Sequence, residues 1–264
     1  MTVKIAITNH KGGSAKTTSV TNIAGSLAKD FNKKVLVVDC DNSANLTEGI
    51  AHDLEPDEYL VDVIEENCED EYIPAIESII VPTDFENLFL LPTRRRDLIR
   101  VNKLMDEAEF STNFLFQNIL SEADDYFDFI LFDCAGNDGN PEVTNNILCC
   151  CDYVLVPFEP NADSVNGYVM TKARVKSMKR DNRNLKILGS FITKYQKATK
   201  LSKEMDEFAE RVIDDDELIP IKITNSVVVG NARLYCTPLA YFNPSAKTAQ
   251  DYKKLAKYVI DNTK

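Results

Sequence analysis

The feature that most constrains this chain is Lys11-Gly12-Gly13-Ser14-Ala15-Lys16-Thr17-Thr18, which joins a β-branched segment directly to one with helical spacing. Val3-Lys4-Ile5-Ala6-Ile7-Thr8 has the short, alternating pattern of a strand. Val20, Ile23, Ala24, Leu27 and Ala28 recur at helical spacing. A strand that turns through two glycines into a helix lets successive backbone N–H groups point at one anion. The helix N-terminus adds partial positive charge at the same place. Such a turn is a phosphate cradle: Lys16 is placed to reach β- and γ-phosphates and Thr17 to offer its hydroxyl to Mg²⁺. The candidate nucleotide-binding set is therefore Lys11, Gly12, Gly13, Ser14, Ala15, Lys16, Thr17 and Thr18.

The general phosphate-loop pattern has glycines where this chain has Lys11 and Ala15. What remains, K-G-G-x-x-K-T-T, resembles the deviant loop of the ParA and MinD ATPases. The resemblance implies that Lys11 reaches across a dimer interface onto the partner's nucleotide. A second apolar run, Lys34-Val35-Leu36-Val37-Val38, reads as a buried parallel strand ending in Asp39-Cys40-Asp41. Asp39 stands at the strand's carboxyl end, where open α/β sheets bind ligands, and is a candidate for the metal's water shell. Asp41 is placed to orient the attacking water, since phosphoryl transfer needs little beyond positioning and charge. Both carboxylates match the family's D-x-D-P-Q-x-x-L-T, whereas Asn42-Ser43 replaces its Pro-Gln pair. A third run, Phe127-Asp128-Phe129-Ile130-Leu131-Phe132, ends in Asp133-Cys134-Ala135-Gly136-Asn137 and resembles the family's Walker B segment. That resemblance makes Asp133 a magnesium ligand, directly or through water, and leaves Ala135-Gly136 where the family has prolines.

Three phosphate-site elements in order, followed by Cys151-Asp152-Tyr153-Val154-Leu155-Val156-Pro157 and a closing Pro238-Leu239, carry the resemblance along nearly the whole chain. The expected fold is α/β: one three-layer sandwich over residues 1–264, a mostly parallel twisted sheet with helices on both faces, and no N-terminal helix-turn-helix extension. With 264 residues, 44% of them hydrophobic, the chain can bury one large core. No apolar run approaches a membrane span, so the expectation is a cytoplasmic protein. The seven cysteines lack C-x-x-C spacing and fit reduced thiols; Cys149-Cys150-Cys151 reads as buried small hydrophobes.

The net charge of −12 conceals a division. Residues 1–165 carry 11 Lys and Arg against 31 Asp and Glu, a balance of −20, while residues 166–264 carry 19 against 11, a balance of +8. Within residues 166–203 stand 11 basic side chains and one acid, Asp181, the electrostatic footprint of a phosphate-backbone binder. The pattern predicts a helix from about Val165 to Lys179, a strand from Leu185 to Ile192 and another helix from Thr199. Lys194, Lys197, Lys200 and Lys203 would then cluster on one loop and helix start, as candidate DNA contacts. Where the family carries I-P-R-N-V-R-L-S-E-A, residues 223–232 have no basic residue, so Arg233 is the candidate substitute. Arg94-Arg95-Arg96 form a further cluster facing either the partner or DNA.

The resemblance implies a slow ATPase that is stimulated by partner and DNA. Its cofactors are ATP and Mg²⁺, and its catalytic residues are Lys11, Lys16 and Asp41. It implies an ATP-closed homodimer on non-specific double-stranded DNA, nucleoid-associated, segregating a plasmid or chromosome origin with a ParB-like centromere-binding protein. The alternative is a MinD-like membrane or nucleoid positioning ATPase for a protein cargo. Against membrane attachment, Asp251–Ile260 reads as a helix packed on the sheet.

Overall fold

The computed structural model describes residues 1–51, 59–70, 79–107, 114–136, 141–159, 161–196, 200–214 and 216–263. Its strands are β1 (Val3–Ile7), β2 (Val35–Cys40), β3 (Val81–Pro82), β4 (Leu88–Leu91), β5 (Phe129–Cys134), β6 (Tyr153–Phe158), β7 (Lys186–Tyr195) and β8 (Leu218–Thr224). They form one sheet in the order β3-β4-β2-β5-β1-β6-β7-β8. Every pairing is parallel except that of the edge strand β3 with β4. The strand order reverses beside β1, so the crevice for ligands opens at the carboxyl end of that strand.

Period-two alternation assigns side chains to two cores. Leu36, Val38, Ile130, Phe132, Val154 and Val156 face one side of the sheet. Val35, Val37, Phe129, Leu131 and Leu155 face the other. Over the first face lie α3 (Leu60–Asp70), α4 (Asp97–Glu107), α5 (Leu115–Ile119), α6 (Pro141–Cys150), α7 (Ala162–Met178) and α8 (Lys200–Val212). Over the second lie α1 (Lys16–Phe31), α2 (Asn45–Ile50), α9 (Val227–Leu234), α10 (Leu239–Phe242) and α11 (Lys247–Asn262). The expected three-layer architecture is the one observed. Cys149 and Cys151 are buried as expected, whereas Cys150 is half-buried, its thiol donating to the Ile147 carbonyl.

Two boundaries in the basic tract differ from expectation. α7 starts at Ala162 because Asn161 caps it, its side chain accepting from the Ser164 N–H. β7 continues to Tyr195 because its far end pairs with β8, where Tyr195 lies opposite Thr224. Lys194 is thus a strand residue, and the loop on which it was to join Lys197 begins after it. Sequence periodicity does not reveal a pairing partner contributed from far along the chain.

The carboxyl-terminal helix α11 seats Tyr252, Leu255, Ala256 and Val259 in the second core. The Tyr252 hydroxyl meets Ser19 Oγ on α1 at 3.3 Å. Among the described residues no helix is long and apolar enough to cross a membrane. Because the apolar face of α11 is committed to the fold, Leu255→Ala is expected to lower the unfolding free energy by about 2–5 kcal/mol. Urea unfolding checks this, and an unchanged midpoint and slope would place the helix off the sheet.

Candidate active site

The turn from β1 to α1 is built from behind. Asn9, completely buried, accepts the Lys11 N–H at 2.9 Å and donates to the Pro157 carbonyl at 2.8 Å, tying the loop to the end of β6. The His10 N–H donates to Thr171 Oγ1 at 3.1 Å, and that hydroxyl donates to the Gly167 carbonyl, so α7 braces the loop head. Gly167 makes this approach possible, since a Cβ there would strike Asn9 Oδ1 and stand 3.0 Å from the Lys11 nitrogen. Gly13 (φ 79) and Ala15 (φ 66) both adopt left-handed backbone. Ala15 stands where the general phosphate-loop pattern has glycine and adopts this backbone at a steric cost that glycine would not incur. No side chain caps α1, which leaves its first N–H groups directed into the cleft.

Lys16 is buried and donates to the Lys11 carbonyl at 3.3 Å. The switch segment after β5 presses on it: a Cβ on Gly136 would lie 2.8 Å from Lys16 Nζ. A side chain at this position would have to displace the flexible Lys16 ammonium and would stand 3.3 Å from the Gly12 nitrogen. Asp41 curls back on itself, its Oδ1 accepting from Ser43 N at 2.9 Å and Ser43 Oγ at 2.7 Å, and it lines the cleft with Lys16 and Thr17.

The β2–β5 register puts Asp39 directly beside Asp133, both with no solvent exposure. Asp39 Oδ2 accepts from the Thr47 N–H and hydroxyl, each at 2.8 Å, and Oδ1 from the Asp41 N–H at 3.2 Å. Asp39 thus anchors the start of α2. Burial pushes its carboxyl up to about 6 against those bonds. Asp133 is different: both of its oxygens are buried without a hydrogen-bond partner among the described residues. Burial first, then the Asp39 charge, drives it well above the ordinary carboxylate range, while the Thr17 hydroxyl and Lys16 pull the other way. An orphaned carboxylate beside a threonine hydroxyl is a donor set that fits a hard divalent cation. Thr17 and Asp133 would hold such an ion, with Asp39 behind them; the ion would neutralise phosphate charge during transfer.

The cleft these residues enclose measures about 490 Å³ and is lined by Gly12, Gly13, Lys16, Thr17, Asp41 and Asn45, among others. Lys11 lies at its head with its ammonium 2.8 Å from Asp163 on the first turn of α7. Two candidate DNA contacts also line this cleft, Lys194 and Arg233. Lys200 and Lys203 fall on α8, with side chains outside the described residues, and Lys197 lies outside them altogether. Arg94 pairs with Asp62 and Asp97 and Arg95 with Glu48, while the Arg96 N–H donates to the Asn42 carbonyl. These arginines bind the segment after β4 to α2 and α3. Asn9 and Gly167 escaped sequence reading, because a single buried amide and an isolated glycine leave no periodic trace.

A family model described as an AAA domain, AAA_31, matches residues 2–187. The chain belongs to that family. It is an ATPase of the ParA/MinD type, similar to the chromosome-partitioning ATPase Soj of Treponema pallidum, 28% identical over 97% of this chain and 96% of the relative. The septum site-determining protein MinD of Pyrococcus horikoshii, solved with Mg-ADP, is 26% identical with a TM-score of 0.74 over 98% of this chain and 96% of that one. Apo McdA of Cyanothece shares the fold at a TM-score of 0.83 with 20% identity, covering 97% and 100%. ATP and Mg²⁺ are the cofactors of a ParA/MinD-type site.

The buried acid pair sets a pH signature on the ATPase without nucleotide. Both folded pKa values stand above the unfolded one, so the native state keeps protons that the unfolded chain has lost. Their contribution therefore falls as pH rises from 3.8 through 6 and beyond. Asp133→Asn is expected to raise the apo Tm at about pH 8 more than at about pH 5, while ATP turnover is lost. A variant no more stable than wild type at either pH would contradict the orphaned-charge description.

Proposed function

We propose that this ATPase segregates DNA: ATP with Mg²⁺ closes two copies face to face, and the closed dimer grips double-stranded DNA without sequence preference. The observation that carries the reading is Lys11 at the head of an assembled phosphate cleft. Its contact with Asp163 is exposed on both sides, at 38% and 70%, so water screens it and the ammonium is free to change partners. In the closed dimer each Lys11 reaches the other protomer's phosphates, Lys16 holds the β- and γ-phosphates, and Asp41 orients the attacking water. Hydrolysis is slow until a ParB-like centromere-binding partner, together with DNA, stimulates it, and the dimer then opens. The relatives named Soj support the partition role. The exposed Lys176, Lys179, Arg180, Arg183 and Lys186 support phosphate-backbone contact, doubled in number by dimerisation. Such a protein works in the cytoplasm on the nucleoid, moving a plasmid or a chromosome origin.

One observation favours a second reading, a positioning ATPase for a protein cargo. The helix α9 exposes Val227 and Leu234, with Tyr235 just beyond it, at 83%, 79% and 71%. Apolar side chains at that exposure suit a protein surface better than a phosphate backbone.

The test is binding to random duplex DNA over a salt series, with ATP analogue, ADP or no nucleotide. Binding that requires ATP and weakens linearly with log salt is expected. Lys16→Ala is expected to abolish nucleotide binding. Lys11→Ala is expected to retain nucleotide yet stay monomeric by light scattering. A wild-type protein that remains monomeric with the analogue would sink the proposal.

A further inference from the structure

Two cations of the basic carboxyl-terminal half, Lys194 and Arg233, share the phosphate cleft with Gly12, Gly13, Lys16 and Thr17. Lys194 takes a left-handed backbone, φ 51, where the pairing of β7 with β8 shifts register between Ile192 and Tyr195. A lysine gains nothing from that conformation in itself, and it persists only where its surroundings impose it. Its ammonium donates to the Gly13 carbonyl at 3.1 Å and pairs with Glu159. The ammonium therefore rests on a peptide of the phosphate loop. Lys194 also borders a second chamber of about 230 Å³, lined by Ala15, Thr18, Thr224, Asn225 and Tyr252. It stands at the seam between the phosphate cleft and the space beside the loop's tail.

Arg233 approaches from the opposite wall, on the last turn of α9. One of its five donors goes to Asn45 Oδ1 at 2.8 Å, and among the described residues it has no ion-pair partner. Asn45 opens α2, the helix that Asp39 anchors through Thr47. The guanidinium thus bridges two elements across the mouth of a cleft whose walls already present Lys16 and a helix N-terminus. A further cation held there complements an anionic group, and beside a phosphate loop that group is a phosphate.

We propose that Lys194 and Arg233 are nucleotide ligands supplied by the same protomer, gripping the base-proximal α- and β-phosphates, and are not DNA contacts. The inference rests on the ATP-site reading above. Glu159 acts as the internal counter-ion that holds Lys194 at the cleft and yields to the nucleotide. Because neither residue addresses the γ-phosphate, ATP and ADP depend on them equally. This separates them from Lys11, whose proposed partner is the nucleotide of the other subunit.

The experiment titrates the full-length protein with fluorescent ADP and ATP in Mg²⁺, using wild type, Lys194→Gln, Arg233→Gln, Glu159→Gln and Lys16→Ala. Folding of each variant is checked by its thermal melt. Lys194→Gln and Arg233→Gln are each expected to weaken ADP and ATP alike by about tenfold or more, the loss of one charge-assisted hydrogen bond. Glu159→Gln is expected to bind at least as tightly as wild type, having released the lysine. At saturating nucleotide, the salt slope of DNA binding is expected to stay at the wild-type value in both cation variants. Nucleotide affinity within about twofold of wild type, with a salt slope shallower by about one, would return the residues to DNA and overturn the inference. Loss of affinity in Glu159→Gln equal to that in Lys194→Gln would also overturn it, by making the lysine a structural partner of Glu159. If Lys16→Ala alone loses nucleotide, only this inference fails; if wild type binds none, the ATP-site reading fails with it.

Discussion

Parallel pairing of β2 with β5 sets two buried aspartates side by side, and much of the site is the consequence of accommodating them. Like charges in a dry setting raise each other's pKa and cannot both ionise without compensation. Asp39 is compensated within the fold by three donors, two from Thr47 and one from the Asp41 N–H. Asp133 has only the influence of Thr17 and Lys16 to set against its burial. The site's own residues are therefore short of positive charge on one side and, at the helix N-terminus and Lys16, short of negative charge on the other. A metal–phosphate complex carries both signs in the order these residues complement.

The second constraint is mechanical. The loop between β1 and α1 must hold left-handed residues at 13 and 15, and a free loop would not keep them. Asn9 and the contact of α7 at Gly167 and Thr171 supply the bracing from behind. The same helix presents Asp163 to Lys11 at its first turn and Lys176 to solvent near its last. Its 17 residues span about 25 Å, so one rigid element joins the loop head to the exposed basic pole.

That pole is only part of the basic tract. Lys172 is occupied by Asp214 and Glu217, Arg174 by Asn145 and the Pro141 carbonyl, and Lys194 by Glu159 and the loop. A run that looks uniform along the chain is therefore divided among internal ion pairing, the phosphate cleft and open solvent. Charge counting locates an electrostatic resource, but each side chain's neighbours decide how it is used.

The sequence alone determined the α/β layering, the phosphate loop and the carboxylates at the ends of β2 and β5. Those features are local: a strand, a glycine turn and a helix declare themselves through periodicities and turn chemistry within a few residues. Tertiary structure alone decided that Asp39 anchors α2, that Gly136 lies against Lys16, and that Lys194 and Arg233 turn toward the cleft. Each of those facts depends on register between strands far apart in the chain, or on the closeness of two backbones. Neither leaves a periodic mark, because pairing and packing energies arise only when distant segments meet.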